Sequence, residues 1–359
     1  MISRRSVSGL LGSALLAAQS AVDSRWTILR RDRSTPVHEF AVSRDGIPFA
    51  ITGPDEKPSL LTWQDTWQQH PLPETALSVF PLIEGYCWLA GVSGIWRSAD
   101  GGKNWSQQWK GEGILRLYFL DEDRGYATGG NKTALFTNDG GQTWEPIAAA
   151  AEPRTTPEYT AYTWVEFVTT RVGIIAGTSR PPRSGITDVM PAWRDPAKAS
   201  RRPEWPGASL TLETRDGSTW KHSSTSLFGR ISRVKYGRDG RGLSLVEFHD
   251  VFEYPSEVFA INLRTGKSER AYREKDIAIT DIALTQTGAL GLLAGVEVPA
   301  DPARDDTGRV HIMTSEDLRT WVDELLPERL MARRVFIAGF RTDSLWAATD
   351  TGVILRRKN

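Results

Sequence analysis

Short apolar runs separated by turn residues make up most of the chain after its first residues. The runs are roughly four to eight residues long, rich in β-branched and aromatic side chains, and bounded by Gly, Asp or Asn, which predicts β-strands. In one stretch the predicted strands are Ile114–Leu120, Gly125–Gly129, Thr133–Thr137 and Thr143–Pro146. The pattern therefore predicts an all-β protein built from units of four strands.

One octapeptide recurs at the end of these units. "SADGGKNW" begins at Ser98 and "TNDGGQTW" begins at Thr137. Shorter copies are "TRDGSTW" from Thr214 and "SEDLRTW" from Ser315, while "TWQDTW" from Thr62 keeps only an Asp and the closing Trp. Repeating units of roughly 40 to 50 residues with four strands each are typical of propeller blades.

The repeats predict a seven-bladed β-propeller with four-stranded blades. The blades centre on Ala41–His70, Thr75–Trp109, Ile114–Ile147, Thr160–Ser224, Ile231–Tyr272, Ile277–Leu325 and Val335–Asn359. The last blade lacks its outer strand, and "DSRWTIL" at Asp23–Leu29 resembles the missing piece. We therefore expect the N-terminal strand to complete the last blade, because ring closure removes free sheet edges.

Every residue type in the octapeptide suits a hairpin turn. Gly140 and Gly141 tolerate a positive φ, and Asp139 is suited to accept hydrogen bonds from turn amides. Trp144 offers a large ring that can be buried against the blade. None of these residues has the character of a catalytic nucleophile or acid, so we interpret the repeat as structural.

The N-terminal segment differs in composition from the rest of the chain. Residues 1–22 have a basic start at Arg4 and Arg5, followed by an apolar stretch rich in Gly, Ala and Leu. This predicts a signal peptide, too short for a transmembrane helix, and the paired arginines resemble part of a twin-arginine export signal. We expect an exported protein, periplasmic or extracellular, with one propeller domain over residues 23–359 and no membrane span.

Overall composition excludes several other classes of function. The formal net charge is zero, which gives no global field to attract nucleic acid. A single cysteine, Cys87, excludes an internal disulfide and a cysteine-based zinc cluster. The five histidines show no metal-type spacing, and no phosphate loop, dinucleotide fingerprint or serine-hydrolase motif occurs. We predict no cofactor and no metal.

The repeated set Ser/Thr-x-Asp-x-Gly-x-Thr-Trp resembles the Asp-box of bacterial neuraminidase-type (BNR-like) repeats. The matching positions are Ser98, Asp100, Gly102 and Trp105, then Thr137, Asp139, Gly141 and Trp144, and in the degenerate copies Asp216, Trp220, Asp317 and Trp321. Families with this repeat include sialidases, xyloglucan-type glycoside hydrolases, sortilin-like receptors, and photosystem II stability/assembly factors with their bacterial relatives. Seven blades of modest length, an export signal and no appended module make the chain most similar to the assembly factors.

That resemblance implies a non-catalytic scaffold or assembly factor that binds a partner protein in the cell envelope. In such blades the connections from strand two to strand three, and from one blade to the next, lie on one face, here called the upper face. Three upper connections are long, at residues 180–208 (an insertion), 250–257 and 299–308. The candidate binding residues in them are Arg180, Arg183, Trp193, Arg194, Arg201, Arg202, Trp205, Glu253, Tyr254 and Arg304.

Two other functions remain open at this point. A sialidase-like glycoside hydrolase would need at least three arginines and a Tyr–Glu pair lining the upper channel; Arg180, Arg230 or Arg329 could supply the former and Tyr254 with Glu253 the latter. A propeller that binds glycans without chemistry would expose aromatic side chains instead. A channel mouth closed by apolar or Pro-rich residues would favour the scaffold.

Overall fold

Seven antiparallel sheets follow one another along the chain as blades around a central channel. The computed structural model describes residues 24–54, 56–83, 85–181, 207–227, 229–248, 253–299 and 307–358. The predicted signal peptide and most of the insertion at 180–208 lie outside these described residues. The prediction of an all-β, seven-bladed propeller with four-stranded blades is confirmed.

The first half of the ring contains β1 and four complete blades. Strand β1 (Trp26–Arg31) precedes blade one. The strands of blades one and two are β2 (Val37–Val42), β3 (Pro48–Thr52), β4 (Ser59–Gln64), β5 (Thr66–Pro71), β6 (Ala76–Pro81), β7 (Cys87–Gly91), β8 (Gly94–Ser98) and β9 (Ser106–Lys110). Those of blades three and four are β10 (Ile114–Phe119), β11 (Gly125–Gly129), β12 (Ala134–Thr137), β13 (Glu145–Pro146), β14 (Thr160–Phe167), β15 (Gly173–Ser179), β16 (Gly207–Thr214) and β17 (Trp220–Leu227).

The second half contains blades five to seven. Their strands are β18 (Gly229–Tyr236), β19 (Arg241–Phe248), β20 (Ser256–Asn262), β21 (Lys267–Tyr272), β22 (Ile277–Leu284), β23 (Gly291–Glu297), β24 (Gly308–Ser315), β25 (Val322–Asp323), β26 (Met331–Ala332), β27 (Val335–Ala338), β28 (Trp346–Thr349) and β29 (Val353–Arg357). Short β26 adds a fifth strand to blade six by pairing with the upper end of β24. Two short 3₁₀ helices, Ala148–Ala150 and Pro157–Tyr159, link blades three and four.

The N-terminal strand closes the ring, as the sequence predicts. Blade seven has the order β27-β28-β29-β1, and β1 pairs antiparallel with β29 from Trp26 opposite Arg357 to Arg31 opposite Val353. The backbone N–H of Lys358 also donates to the carbonyl of Arg25 at 2.6 Å. The two ends of the described chain therefore share one sheet, which removes the free edge of blade seven.

A buried ion pair attaches this closing sheet to blade six. Glu324, which follows β25, accepts from Nη2 of Arg357 at 2.7 Å and from Nε1 of Trp26 at 2.6 Å. Both charged side chains are 8% exposed. Burial alone would raise the pKa of Glu324, but the hydrogen bonds and charge of Arg357 lower it overall. One carboxylate thus connects blade six, the N-terminal strand and the C-terminal strand.

We predict that Glu324→Gln destabilises the whole propeller, because it leaves the Arg357 charge buried without a carboxylate. The expected loss in the free energy of unfolding is about 3 to 5 kcal/mol, measured by urea denaturation. Asp343→Asn is the matched control, since it breaks an exposed Arg341–Asp343 pair at the surface and should cost under about 1 kcal/mol. Equal losses for the two variants would contradict the role of the buried pair.

The hydrophobic core consists of seven separate layers, one between each pair of neighbouring blades. The layer between blades two and three includes Trp88 and Phe119, whose rings stack with centroids 3.6 Å apart. The layer between blades four and five is the smallest, with only Trp164, Ala176 and Val234 buried in it. Every blade is therefore held by its two neighbours, so the stability of each depends on an unbroken ring.

The repeated octapeptides form the turns that the sequence predicts. In blade three, Oδ1 of Asp139 accepts from the hydroxyl of Thr137 at 2.8 Å and from the backbone N–H of Thr143 at 2.9 Å. Asp100 makes the equivalent contacts with Ser98 and Asn104 in blade two. Hydrogen bonds lower the pKa of both carboxyl groups to about 2. The largest lowering contribution comes from Thr143 for Asp139 and from Asn104 for Asp100.

The degenerate copies keep the same hydrogen-bond geometry where their residues allow it. Asp216 accepts from the N–H of Thr219 at 2.7 Å, and Asp317 accepts from the N–H of Thr320 at 2.7 Å. Blade five has no Asp there, and Oδ1 of Asn262 accepts from the N–H of Thr265 at 3.2 Å instead. In blade one, "TWQDTW" forms a tighter hairpin in which Asp65 has a positive φ of 61°.

Candidate binding site in the central channel

Bulges at the same place in six inner strands decide which side chains enter the channel. The register between strand one and strand two shifts by one residue in β2, β6, β10, β14, β18 and β22. A bulge re-aims the side chains that follow it, and five of the six residues that follow a shift line the channel. The sixth, Ser78, is fully buried and contacts the channel residue Arg116. These six residues, which we call the channel belt, are Glu39, Ser78, Arg116, Trp164, Arg233 and Asp281.

Contacts within the channel belt run from blade one round to blade seven. Arg116 forms an ion pair with Glu39 and donates to the hydroxyl of Ser78 at 3.2 Å. On the other side, Nε of Arg233 lies 3.2 Å from Oδ1 of Asp281. The second oxygen of Asp281 accepts from the backbone N–H of Ile337 in blade seven at 3.0 Å. The belt divides the channel into an upper mouth and a lower chamber.

Trp164 joins the two halves of the belt through cation–π contacts. Its indole N–H donates to the carbonyl of Val234 at 2.8 Å, which fixes the ring. The cations over the ring, with their distances to its centroid, are Arg116 at 4.3 Å, Arg233 at 4.7 Å and Lys235 at 5.0 Å. A Trp face attracts cations, so the ring holds together three positive charges that would otherwise repel one another.

Lys235 also neutralises a buried carboxylate below the belt. Its Nζ lies 3.0 Å from Oε2 of Glu166, whose side chain is 10% exposed. Burial raises the pKa of Glu166, and the charge of Lys235 opposes part of that rise. The carboxylate therefore depends on Lys235 to remain ionised inside the channel.

We predict that Lys235→Met destabilises the protein by about 3 kcal/mol at neutral pH, because Glu166 becomes an unpaired buried charge. The raised pKa of Glu166 means that the folded state holds this proton more tightly than the unfolded chain does. The loss of stability caused by Lys235→Met should therefore shrink as the pH falls below the pKa of Glu166 and grow as the pH rises above it.

Urea denaturation across pH is the measurement for this variant. Adding Glu166→Gln to Lys235→Met should recover most of the stability, since it removes the unpaired charge. Lys267→Met, at an exposed position on β21, is the control and should have little effect. A pH-independent loss would show that Lys235 acts through packing alone.

The upper mouth is lined by four arginines. Arg116 and Arg233 come from the belt, Arg230 is the second residue of β18, and Arg334 directly precedes β27. The cavity between them has a volume of about 210 Å³. Three carboxylates pair with three of these arginines: Glu39 with Arg116, Asp281 with Arg233, and Glu247 with Arg230.

Arg334 is the fourth cation of the mouth, and no carboxylate among the described residues pairs with it. Its Nε is buried and has no hydrogen-bond partner in this part of the chain, and the same holds for Oγ of Ser232. Burial lowers the pKa of Arg334, and the neighbouring charge of Arg233 lowers it further. Counted over the described residues, the mouth has four arginines and three paired carboxylates, so an incoming anion would offset the remaining positive charge.

Of the ten candidate binding residues predicted from the sequence, the structure describes three, and none of the three is among the residues that line the mouth. Arg180 follows β15, at the end where the mouth opens, and its N–H donates to the carbonyl of Tyr159 at 2.9 Å. Glu253 pairs with Lys275, and Tyr254 packs 4.0 Å from Arg273, so neither lines the mouth. The remaining predicted residues, Arg183, Trp193, Arg194, Arg201, Arg202, Trp205 and Arg304, lie outside the described residues.

The sequence predicts Arg230 as a possible channel residue, but it does not predict the belt or Arg334. A signal for the belt is present in the inner strands, as in "ILRL" at Ile114–Leu117 and "ITDI" at Ile279–Ile282. The buried apolar residues in these stretches stand three positions apart, Ile114 and Leu117 in the first and Ile279 and Ile282 in the second. An unbroken strand would place residues of one face two or four positions apart. The polar residue just before the second buried one is the belt residue. This spacing marks a bulge that alternation alone does not predict.

The structure thus defines a seven-bladed β-propeller whose channel mouth is lined by arginine. A scan against protein-family models and a search of curated protein sequences found no match. Solved structures with the same fold include YCF48 bound to a D1 peptide, at a TM-score of 0.60 and 14% identity, covering 94% of this chain and 98% of that one. YCF48 from Cyanidioschyzon merolae matches at a TM-score of 0.57 and 15% identity, covering 93% of this chain and 98% of that one.

A glycoside hydrolase is also among the similar structures. The GH74 xyloglucanase from Xanthomonas campestris matches at a TM-score of 0.63 and 11% identity over 94% of this chain. The chain spans 54% of the length of that enzyme. At these identities the likeness shows the fold alone.

Proposed function

We propose that the protein is a non-catalytic propeller that binds an acidic segment of a partner protein at its upper mouth. The observation that carries this proposal is Arg334, a partly buried guanidinium that pairs with no carboxylate in the part of the chain that the structure describes, beside three arginines that each have one. A guanidinium recognises a carboxylate through paired N–H donors, and the interaction is strongest where water is partly excluded.

The rim of the mouth favours a polypeptide as the source of that carboxylate. Exposed apolar side chains stand at the upper ends of several blades. They are Leu77 (43% exposed), Val92 (46%), Tyr159 (43%) and Val298 (37%). Exposed aromatic side chains and arginines are both enriched at protein–protein interfaces. A partner segment with acidic and apolar residues would match both features.

The structural comparisons support a binding function without establishing it. YCF48 is a propeller of the same fold with a peptide bound, and it covers nearly the same length. This likeness and the Asp-box pattern support our proposal of a scaffold propeller of the photosystem II assembly-factor type. The hydrolase alternative is less favoured, because Tyr254 and Glu253 are absent from the residues that line the mouth.

The export signal adds a location to the proposal. We infer that residues 1–22 are removed and that the propeller acts in the periplasm or outside the cell, where its partner would be an envelope protein. Among the described residues no helix is long and apolar enough to cross a membrane. Mass spectrometry of the protein from the exported fraction should find a chain that begins near residue 23, and an intact N-terminus there would contradict cleavage.

We predict that a peptide of alternating Asp and Leu binds the protein, whereas the Lys and Leu counterpart does not. Fluorescence anisotropy should give an affinity that weakens as salt is raised, because the contact is electrostatic. Arg334→Gln and Arg230→Glu should each weaken binding about tenfold or more, as hydrogen bonds to charged groups contribute about 1.5 to 3 kcal/mol.

Arg264→Glu is the matched control for this measurement. Arg264 is exposed in the turn between β20 and β21, on the face opposite the mouth, and should leave the affinity unchanged. Equal binding of both peptides, or loss of affinity in Arg264→Glu as well, would contradict a site at the mouth. Release of sugars from xyloglucan or sialosides by the wild-type protein would move the assignment to a hydrolase.

A further inference from the structure

The lower chamber of the channel has the size and shape of a small-molecule site. It lies below the channel belt, is enclosed by the lower halves of all seven inner strands, and has a volume of about 290 Å³. That volume is at the lower end of the range found for ligand pockets, roughly 300 to 1,000 Å³. It exceeds the roughly 150 Å³ of an engineered cavity that binds benzene.

Aromatic side chains form much of the wall of the lower chamber. Phe80 and Tyr118 contact each other with ring centroids 5.1 Å apart, and Phe336 and Phe340 line the chamber from blade seven. Phe80, Tyr118 and Phe340 remain partly exposed although they lie at the centre of the molecule. They line the chamber and are therefore placed to contact a bound aromatic group.

Two arginines give the lower rim of the chamber a positive charge. Arg44 donates to the carbonyls of Leu120 at 2.7 Å and Phe119 at 3.0 Å. Arg238 lies 2.9 Å from the side-chain amide of Gln286, with the amide oriented so that its oxygen accepts. Within the described ranges neither guanidinium pairs with a carboxylate, whereas the cations at the top of the chamber are each paired with one. The rim therefore attracts an anionic group.

We propose that the lower chamber binds a small organic anion with an aromatic body. The ring would lie against the aromatic wall, and a carboxylate or sulfonate would meet Arg238 and Arg44 at the rim. This site is separate from the upper mouth, because the channel belt lies between them. It adds a small-molecule ligand to a propeller whose other end is proposed to bind a polypeptide.

Anilinonaphthalene sulfonate is a suitable test compound, since it combines an aromatic body with one negative charge and fluoresces when its rings leave water. The folded protein should show saturable binding of one molecule per chain. Phenylnaphthylamine, which lacks the sulfonate, should bind at least about tenfold more weakly if the rim arginines make charge-assisted contacts.

Two variants locate the binding site. Arg238→Gln removes the charge at the rim and should weaken the affinity about tenfold, while Arg264→Gln, an exposed arginine in the same blade outside the chamber, should not change it. Ala338→Leu adds bulk to a residue that lines the chamber and should reduce the bound fraction even where Arg238→Gln is unstable. Thermal melting confirms that each variant is folded before binding is compared.

Three results would overturn the proposal. The first is fluorescence that rises without saturation, which is the behaviour of dispersed surface patches. The second is unchanged affinity in both Arg238→Gln and Ala338→Leu. The third is equal affinity for the charged and the uncharged compound, which would remove the role assigned to the arginines at the rim.

Discussion

The inner-strand bulge is the constraint on which the channel of this propeller depends. It occurs at the same level in six of the seven blades, and in five of them the side chain that follows it lines the channel. The resulting belt combines ion pairs with cations stacked on Trp164. Because those side chains meet across the channel, the same feature that shapes each strand also separates an upper mouth from a lower chamber.

Ring closure provides the rigid frame that this arrangement requires. The core has seven layers between blades, and the N-terminal strand completes the blade that carries the C-terminus. Glu324 holds this closing sheet to blade six through Arg357 and Trp26. The smallest core layer lies between blades four and five, where Trp164 is both a core residue and the centre of the belt. Packing and channel chemistry therefore depend on the same side chain there.

The sequence predicts the architecture well because the blade-closing turns have a distinctive composition. Asp139 and the two glycines after it mark one turn, and Trp26 marks the strand that closes the ring. The site is harder to predict, because a bulge breaks the two-residue alternation and hides the orientation of Arg116. Arg334 stands in a connection outside any repeated motif, and only the assembled ring shows that none of the described carboxylates forms an ion pair with it.

The central claim is that the uncompensated charge of Arg334 makes the upper mouth a site for an acidic polypeptide. The most direct measurement is a crystal structure of the protein with a bound peptide of alternating Asp and Leu. We predict a peptide carboxylate within hydrogen-bond distance of the Arg334 guanidinium, with neighbouring leucines against the apolar rim. A peptide bound on the opposite face or at the outer edge of a blade, with the mouth free of carboxylate, would contradict the claim.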